Sequence, residues 1–137
     1  MSCITAFDTN ILIYACDVSD ARRQQRAFDL LADVQDGVLL WQVAAEFIAA
    51  SRKLGTQGFT AAHAWARLHE FMSVLQLIIP SPGALDQAQV LHRDQQISFW
   101  DAMIIGACLD CGVKTLYSED LPGRIIGTEL QIVHPFR

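Results

Sequence analysis

No apolar run in this chain reaches the roughly 18 to 20 uninterrupted residues that a membrane-spanning helix needs. The first 16 residues are apolar, yet they carry no basic start and are broken by Asp8 and Asn10, which argues against a secretory signal. A soluble, cytoplasmic protein is the expectation. Basic residues are also few: 10 Lys and Arg against 15 Asp and Glu leave a net charge of -5 and a pI near 5.1. That argues against a protein that coats nucleic acid through a broad basic surface. It leaves open an acidic pocket whose bound cations receive phosphate oxygens.

Metal and nucleophile signatures of other kinds are missing as well. Cys3, Cys16, Cys108 and Cys111 lie in apolar segments and read as reduced core thiols. Cys108-Leu109-Asp110-Cys111 has CxxC spacing, but a zinc site wants a second ligand pair and none is in view. His63, His69, His92 and His134 form no HExxH and pair with no acidic motif. Ser118 lacks the glycine pattern of a nucleophile elbow. Asp8 has Asn10, not a second Asp, two residues on, unlike a phosphoryl-accepting aspartate. Internal repeats, low-complexity tracts and interdomain linkers are absent too.

What the chain has is a dense alternation of short apolar strands and helices. Its 137 residues and 52% hydrophobic content suit one domain spanning 1–137 with a single core. Cys3–Phe7 reads as a strand ending in Asp8-Thr9-Asn10, after which a helix-compatible run begins. Ser19 or Asp20 caps a helix over Ala21–Val34, whose inner stripe is Ala27, Leu30, Leu31 and Val34. Val38–Trp41 is a fully apolar run of the kind found in doubly covered parallel strands.

The remaining elements follow in the same rhythm. Gln42–Leu54 is helical with Gly55 as its stop, and Thr60 caps Ala61–Gln76, with Ala64, Leu68, Phe71, Met72 and Leu75 inward. Leu77–Ile79 is a strand closed by Pro80-Ser81-Pro82. Gly83–Gln95 is a helix with Leu85, Ala88 and Leu91 inward. A helix from Phe99, apolar on nearly every side and ended by Gly112, should be buried. Val113–Tyr117 and Gln131–Val133 are the last strands. The expected fold is α/β, three layers, with a mostly parallel central sheet of four or five strands.

Four acids stand where carboxylates can gather: Asp8 and Asp120 after strands, Glu46 and Asp101 near helix starts. Each has an ordinary reading. Asp8 can cap the next helix, Ser98 and Asp101 can form a capping box, Glu46 can answer the helix dipole, and Ser118-Glu119-Asp120 can be a polar turn. Together, however, such acids repel one another unless a cation lies between them. A hard divalent ion, Mg2+ or Mn2+, takes carboxylate oxygens and keeps positions open for phosphate. Phosphodiester hydrolysis is the chemistry that follows.

Phe7-Asp8-Thr9-Asn10-Ile11-Leu12-Ile13-Tyr14-Ala15, Ala45-Glu46-Phe47, Ser98-Phe99-Trp100-Asp101-Ala102-Met103-Ile104 and Leu116-Tyr117-Ser118-Glu119-Asp120-Leu121 resemble, in order and spacing, the motifs of PIN-domain ribonucleases, especially VapC-like toxins. The resemblance implies that Asp8, Glu46, Asp101 and Asp120 are catalytic, metal-coordinating acids. Asn10 and Ser118 would hold those carboxylates by hydrogen bonds. Of the neighbours Glu119 and Asp120, the resemblance favours Asp120, two residues beyond Ser118, while Pro122-Gly123 is atypical of the loop. It further implies a Mg2+- or Mn2+-dependent endoribonuclease acting on structured RNA, a cognate antitoxin and a homodimer. Arg22, Arg23, Arg26, Arg52 and Lys53 become candidates for the RNA backbone; their ordinary reading is a solvated helix face. The alternatives are a PIN-type nuclease of RNA processing or DNA, and a catalytically silent binding module.

Overall fold

Residues 4–123 and 125–137 are described by the computed structural model, so the start of the first expected strand, Cys3 included, lies outside the described residues. Eleven elements alternate along the chain: β1 (Thr5–Phe7), α1 (Thr9–Cys16), α2 (Ala21–Asp33), β2 (Gly37–Leu40), α3 (Trp41–Ala50), α4 (Ala61–Val74), β3 (Gln76–Ile78), α5 (Pro82–Asp94), α6 (Phe99–Cys111), β4 (Thr115–Tyr117) and β5 (Gln131–Val133). A 3-10 helix over Ser51–Gln57 joins α3 to α4. The five strands form one all-parallel sheet in the order β3-β2-β1-β4-β5. Parallel neighbours need crossover connections, and the helices supply them, giving the three-layer α/β architecture.

Chain direction across the sheet reverses at β1. The first crossovers run outward through β2 to β3, and the chain then returns to place β4 on the other side of β1. Ala6 pairs with Val38 on one side and Leu116 on the other, so β1 is the central strand. Its apolar residues Ala6 and Phe7 are buried with Leu39, Leu40 and Leu116. A crevice at the carboxyl ends of β1 and β4 is the expected ligand position in such a sheet.

Helix signals account for most boundaries. Asp20 caps α2 by accepting from the Arg23 N–H at 3.1 Å. Thr60 caps α4, and His63 completes that box by accepting from the Thr60 N–H at 3.0 Å. α6 is buried along Ala102 and Ile104 to Cys108. No helix among the described residues is long and apolar enough to cross a membrane.

Several expectations are corrected. Trp41 does not end a strand; it opens α3 and is 54% exposed. Glu46 therefore falls in the second turn, beyond the dipole's reach. Gly55 does not stop the helix, because the chain tightens into 3-10 turns there. The left-handed residue is Gly58, with φ of 78°. Met72 is exposed at the edge of a surface groove, and α5 buries Ala84 in place of Leu85, a rotation of one residue forced by close packing on α6.

Candidate metal centre

Asp8 is the hinge of the site. It leaves β1 in extended backbone and caps α1, its Oδ1 accepting from the Thr9 N–H at 2.7 Å. The other oxygen, Oδ2, accepts from the Ser118 hydroxyl at 2.7 Å. Ser118 is itself buried beyond β4, and its Oγ also accepts from the N–H groups of Asp120 at 3.2 Å and Leu121 at 3.3 Å. One hydroxyl thus ties the end of β1 to the loop after β4.

Burial pushes the Asp8 carboxyl above its ordinary pKa. The Ser118 and Thr9 hydrogen bonds oppose that rise, whereas the nearby charges of Glu46 and Asp101 add to it. Acids from α3 and α6 therefore bear on Asp8 at the sheet edge. Glu46 is held at both oxygens: Thr9 Oγ1 donates to Oε2 at 2.9 Å and Gln42 Nε2 donates to Oε1 at 2.8 Å. Gln42 also donates to the Trp100 carbonyl at 3.2 Å, which links the starts of α3 and α6.

Asp101 makes no capping bond. Ser98 occupies the N-cap of α6 without a side-chain hydrogen bond, so the capping box expected there does not form. The Asp101 carboxylate accepts no hydrogen bond from the described residues, and its charge bears on Asp8 instead.

The geometry separates the two neighbouring acids of the β4 loop. Asp120 Oδ2 accepts from Asn10 Nδ2 at 3.0 Å. Glu119 turns the other way, accepting from the Tyr14 hydroxyl at 2.8 Å and lying 3.6 Å from Arg23. Asn10 and Tyr14 are four residues apart on α1 and share a helix face, so one helix sorts both acids. Tyr14 is pushed up to about 12, first by burial and then by its bond to Glu119.

The donor set fits a hard cation. Its atoms are carboxylate oxygens that repel one another, and Asn10 Oδ1 is a buried acceptor with no donor among the described residues. No three His, Cys, Asp or Glu side chains among the described residues close into a ready-made metal cage. Mg2+ does not demand one, since it keeps several waters and is commonly held by one or two carboxylates plus substrate phosphate. His63 and His134 serve backbone amides of their own segments, and the buried thiols of Cys16 and Cys108 are pushed well above their usual range.

Thr9, Gln42 and Tyr14 are the positions that sequence reasoning missed. A signal for each was present: Thr9 follows Asp8 directly, Gln42 precedes Glu46 by one helical turn, and Tyr14 follows Asn10 by one. Among the basic candidates, Arg22, Arg23 and Arg26 line one cleft on α2, while Arg52 and Lys53 sit apart on the 3-10 helix.

Comparison with known proteins bears on these residues. A family model described as PIN domain matches residues 6–121. No curated protein matches the chain by sequence. Among solved structures, a toxin-antitoxin complex from Klebsiella pneumoniae is similar with a TM-score of 0.69 at 19% identity, covering 98% of each chain. VapBC2 from Rickettsia felis, bound to a DNA fragment from its promoter, has a TM-score of 0.69 at 18% identity, covering 95% of this chain and 97% of that one. VapC20 from Mycobacterium tuberculosis, described as a sarcin-ricin loop cleaving toxin, has a TM-score of 0.63 at 20% identity, with 82% and 86% covered.

Proposed function

This chain belongs to the PIN-domain family, and from that premise we propose that it is a metal-dependent endoribonuclease, the toxin half of a toxin-antitoxin pair acting in the cytoplasm as one domain. The observation that carries the reading is a buried Asp8 at the sheet's reversal point, its carboxyl raised first by burial and further by the charges of Glu46 and Asp101. Such repulsion is relieved by a cation, and PIN domains generally use divalent metals. Asp8, Glu46, Asp101 and Asp120 would hold Mg2+ or Mn2+. The ion's chemistry is Lewis acidity, which activates water near neutral pH and offsets charge on the phosphate being cut.

The protein's own residues prepare the site. Ser118 and the Thr9 amide fix the Asp8 rotamer, Thr9 and Gln42 fix Glu46, and Asn10 fixes Asp120. Preset carboxylates need no reordering when the cation and phosphate arrive. Without a cation the same pocket repels RNA, so activity is tied to metal.

Structured RNA is the proposed substrate, with Arg22, Arg23, Arg26, Arg52 and Lys53 as candidate backbone contacts. An antitoxin is the proposed protein partner, in keeping with the complexes that similar folds form. A homodimer is also proposed. An apolar groove of about 460 Å3 between α3 and α4, bordered by Trp41, Trp65 and Met72, supplies surface for protein contact.

The test is cleavage of total RNA by purified protein with Mg2+, Mn2+ or EDTA, beside Asp101→Asn. Discrete fragments that need metal and vanish in the variant are the expected result. Cleavage that survives both EDTA and the substitution would overturn the metal mechanism.

A further inference from the structure

Four of the chain's 10 basic residues, Arg22, Arg23, Arg26 and Arg137, line a single cleft of about 560 Å3 where α2 meets the segment after β5. Asp29 is the one acidic side chain in its wall, and Gln25 Nε2 already donates to it at 3.0 Å. Elsewhere Arg67 meets Glu70, Arg93 meets Asp94 and Lys114 meets Glu129, while Arg52 and Lys53 stand apart on the 3-10 helix without an ion pair among the described residues. Arg22, Arg26 and Arg137 have no carboxylate within 4.0 Å among the described residues. A chain of net charge -5 has thus gathered four arginines in one place and left three of them without an ion-pair partner among the described residues. An anion relieves that repulsion.

Arg23 is held differently from its neighbours. Its Nη1 donates to Asp20 at 3.0 Å, its Nη2 lies 3.6 Å from Glu119, and its guanidinium stands 5.5 Å from the ring centres of both Tyr14 and Phe136. Those contacts fix it in the cleft and leave its Nε buried without an acceptor. The same network borders the acidic pocket, because Glu119 adjoins Asp120 and the two acids are held by Tyr14 and Asn10 from one face of α1.

We propose that this cleft binds a backbone phosphate of the RNA strand flanking the cut site, with Arg22, Arg26 and Arg137 supplying the charge beside an Arg23 already held in place. The proposal rests on the nuclease reading above and names how the substrate strand is held. An acidic pocket repels the rest of a polyanion, so strand affinity must come from cations beside it. The arginine fork matches phosphate oxygens in pairs.

Binding of a single-stranded RNA oligonucleotide to the Asp101→Asn protein, with Mg2+ and between about 50 and 200 mM salt, is the measurement. Arg22→Ala with Arg26→Ala is expected to weaken binding. It should also lower the slope of log K against log salt by about 0.7 for each phosphate contact removed. Arg22→Lys should keep most of the slope, since a point charge still meets phosphate. Arg22→Glu, a surface change that leaves the Arg26 contact with the Pro135 carbonyl intact, should weaken binding further.

A slope unchanged in these variants, or lowered equally by the control Arg67→Ala, overturns the proposal. If an acidic peptide titrated into the same proteins binds the wild-type cleft and is lost in the arginine variants while the RNA slopes stay unchanged, the proposal is overturned and the cleft is reassigned to a protein. If RNA binding falls in the arginine variants while the wild-type protein cuts no RNA with either metal, the cleft stands and the nuclease reading fails. Normal cleavage with unchanged binding sinks the cleft alone.

Discussion

Ser118 donates its hydroxyl proton to Asp8 Oδ2 across 2.7 Å while accepting the Asp120 and Leu121 amides on the same oxygen. A single buried hydroxyl therefore orients one acid and shapes the loop that carries another. Ser118→Ala strands two amide donors and removes a donor from a buried carboxylate. We expect a loss of about 1–3 kcal/mol in stability, read by urea denaturation. A variant as stable as the wild type would mean that water replaces the hydroxyl at no cost.

The same contact sets a pH dependence. Burial raises Asp8 above its ordinary pKa, so between the unfolded and folded values the native state holds the extra proton. The stability this provides is complete below the unfolded pKa and is lost as pH rises through the folded one. In EDTA, denaturation midpoints should therefore fall as pH is raised from about 4, the usual aspartate value. Ser118→Ala removes a bond that lowers the Asp8 pKa, so its decline should extend to higher pH. The opposite trend, with Asp8→Asn behaving like the wild type, would assign the titration elsewhere.

Glu119 and Asp120 should separate by experiment as they do in space. Asp120→Asn is expected to reduce metal-dependent RNA cleavage about tenfold more than Glu119→Gln does. Glu119→Gln acts instead on Tyr14, whose hydroxyl it accepts. Burial and that bond push Tyr14 from an ordinary 10.0 up to about 12, so the stability from its protonated form is expected to be lost as pH rises through that range. Ultraviolet titration in a Tyr117→Phe background should show the Tyr14 midpoint moving down in Glu119→Gln. An unmoved midpoint would place the cause in burial alone.

Much of this was legible in the chain itself, for identifiable reasons. Strand runs such as Gln131–Val133 and caps such as Thr60 are local patterns, and the structure keeps both. Met72 and Leu85 were misassigned because helical period alone cannot tell which neighbouring stripe the partner helix covers. Ser98 and Asp101 matched a capping box, yet Ser98 makes no side-chain capping bond, and residue spacing alone does not show whether the hydroxyl and the amide meet. The convergence of α2 with Phe136 and Arg137 joins segments more than a hundred residues apart, and no local pattern carries it. Asp8, Asn10 and Ser118 were singled out by motif, but which oxygen bonds which donor required coordinates.

Gly106 shows how tightly α6 is seated. A Cβ there would stand 2.7 Å from the Ala84 carbonyl oxygen and 2.9 Å from the Ala88 nitrogen, both backbone atoms of α5. Neither can swing aside as a side-chain tip would. Gly106→Ala is expected to cost about 1–3 kcal/mol by prising the two helices apart. Thermal melting checks this, and a neutral result would mean that α5 slides freely on α6.

Asp101→Asn offers the sharpest contrast between stability and activity. Asp101 accepts no hydrogen bond from the described residues, and its charge adds to the burden on buried Asp8, so the isosteric amide removes repulsion without leaving a stranded donor behind. In EDTA the variant should be more stable than the wild type, by about 0.5–2 kcal/mol, as is common when a strained functional site is neutralised. Added Mn2+ should reverse the order. A cation that binds only the native state stabilises by mass action, so the wild-type melting temperature should climb with metal concentration while the variant's rise is much smaller. Equal metal-induced shifts in both proteins would take Asp101 out of the cation's shell. A variant less stable than the wild type in EDTA would mean that Asp101 is held by favourable contacts and that the pocket is not strained.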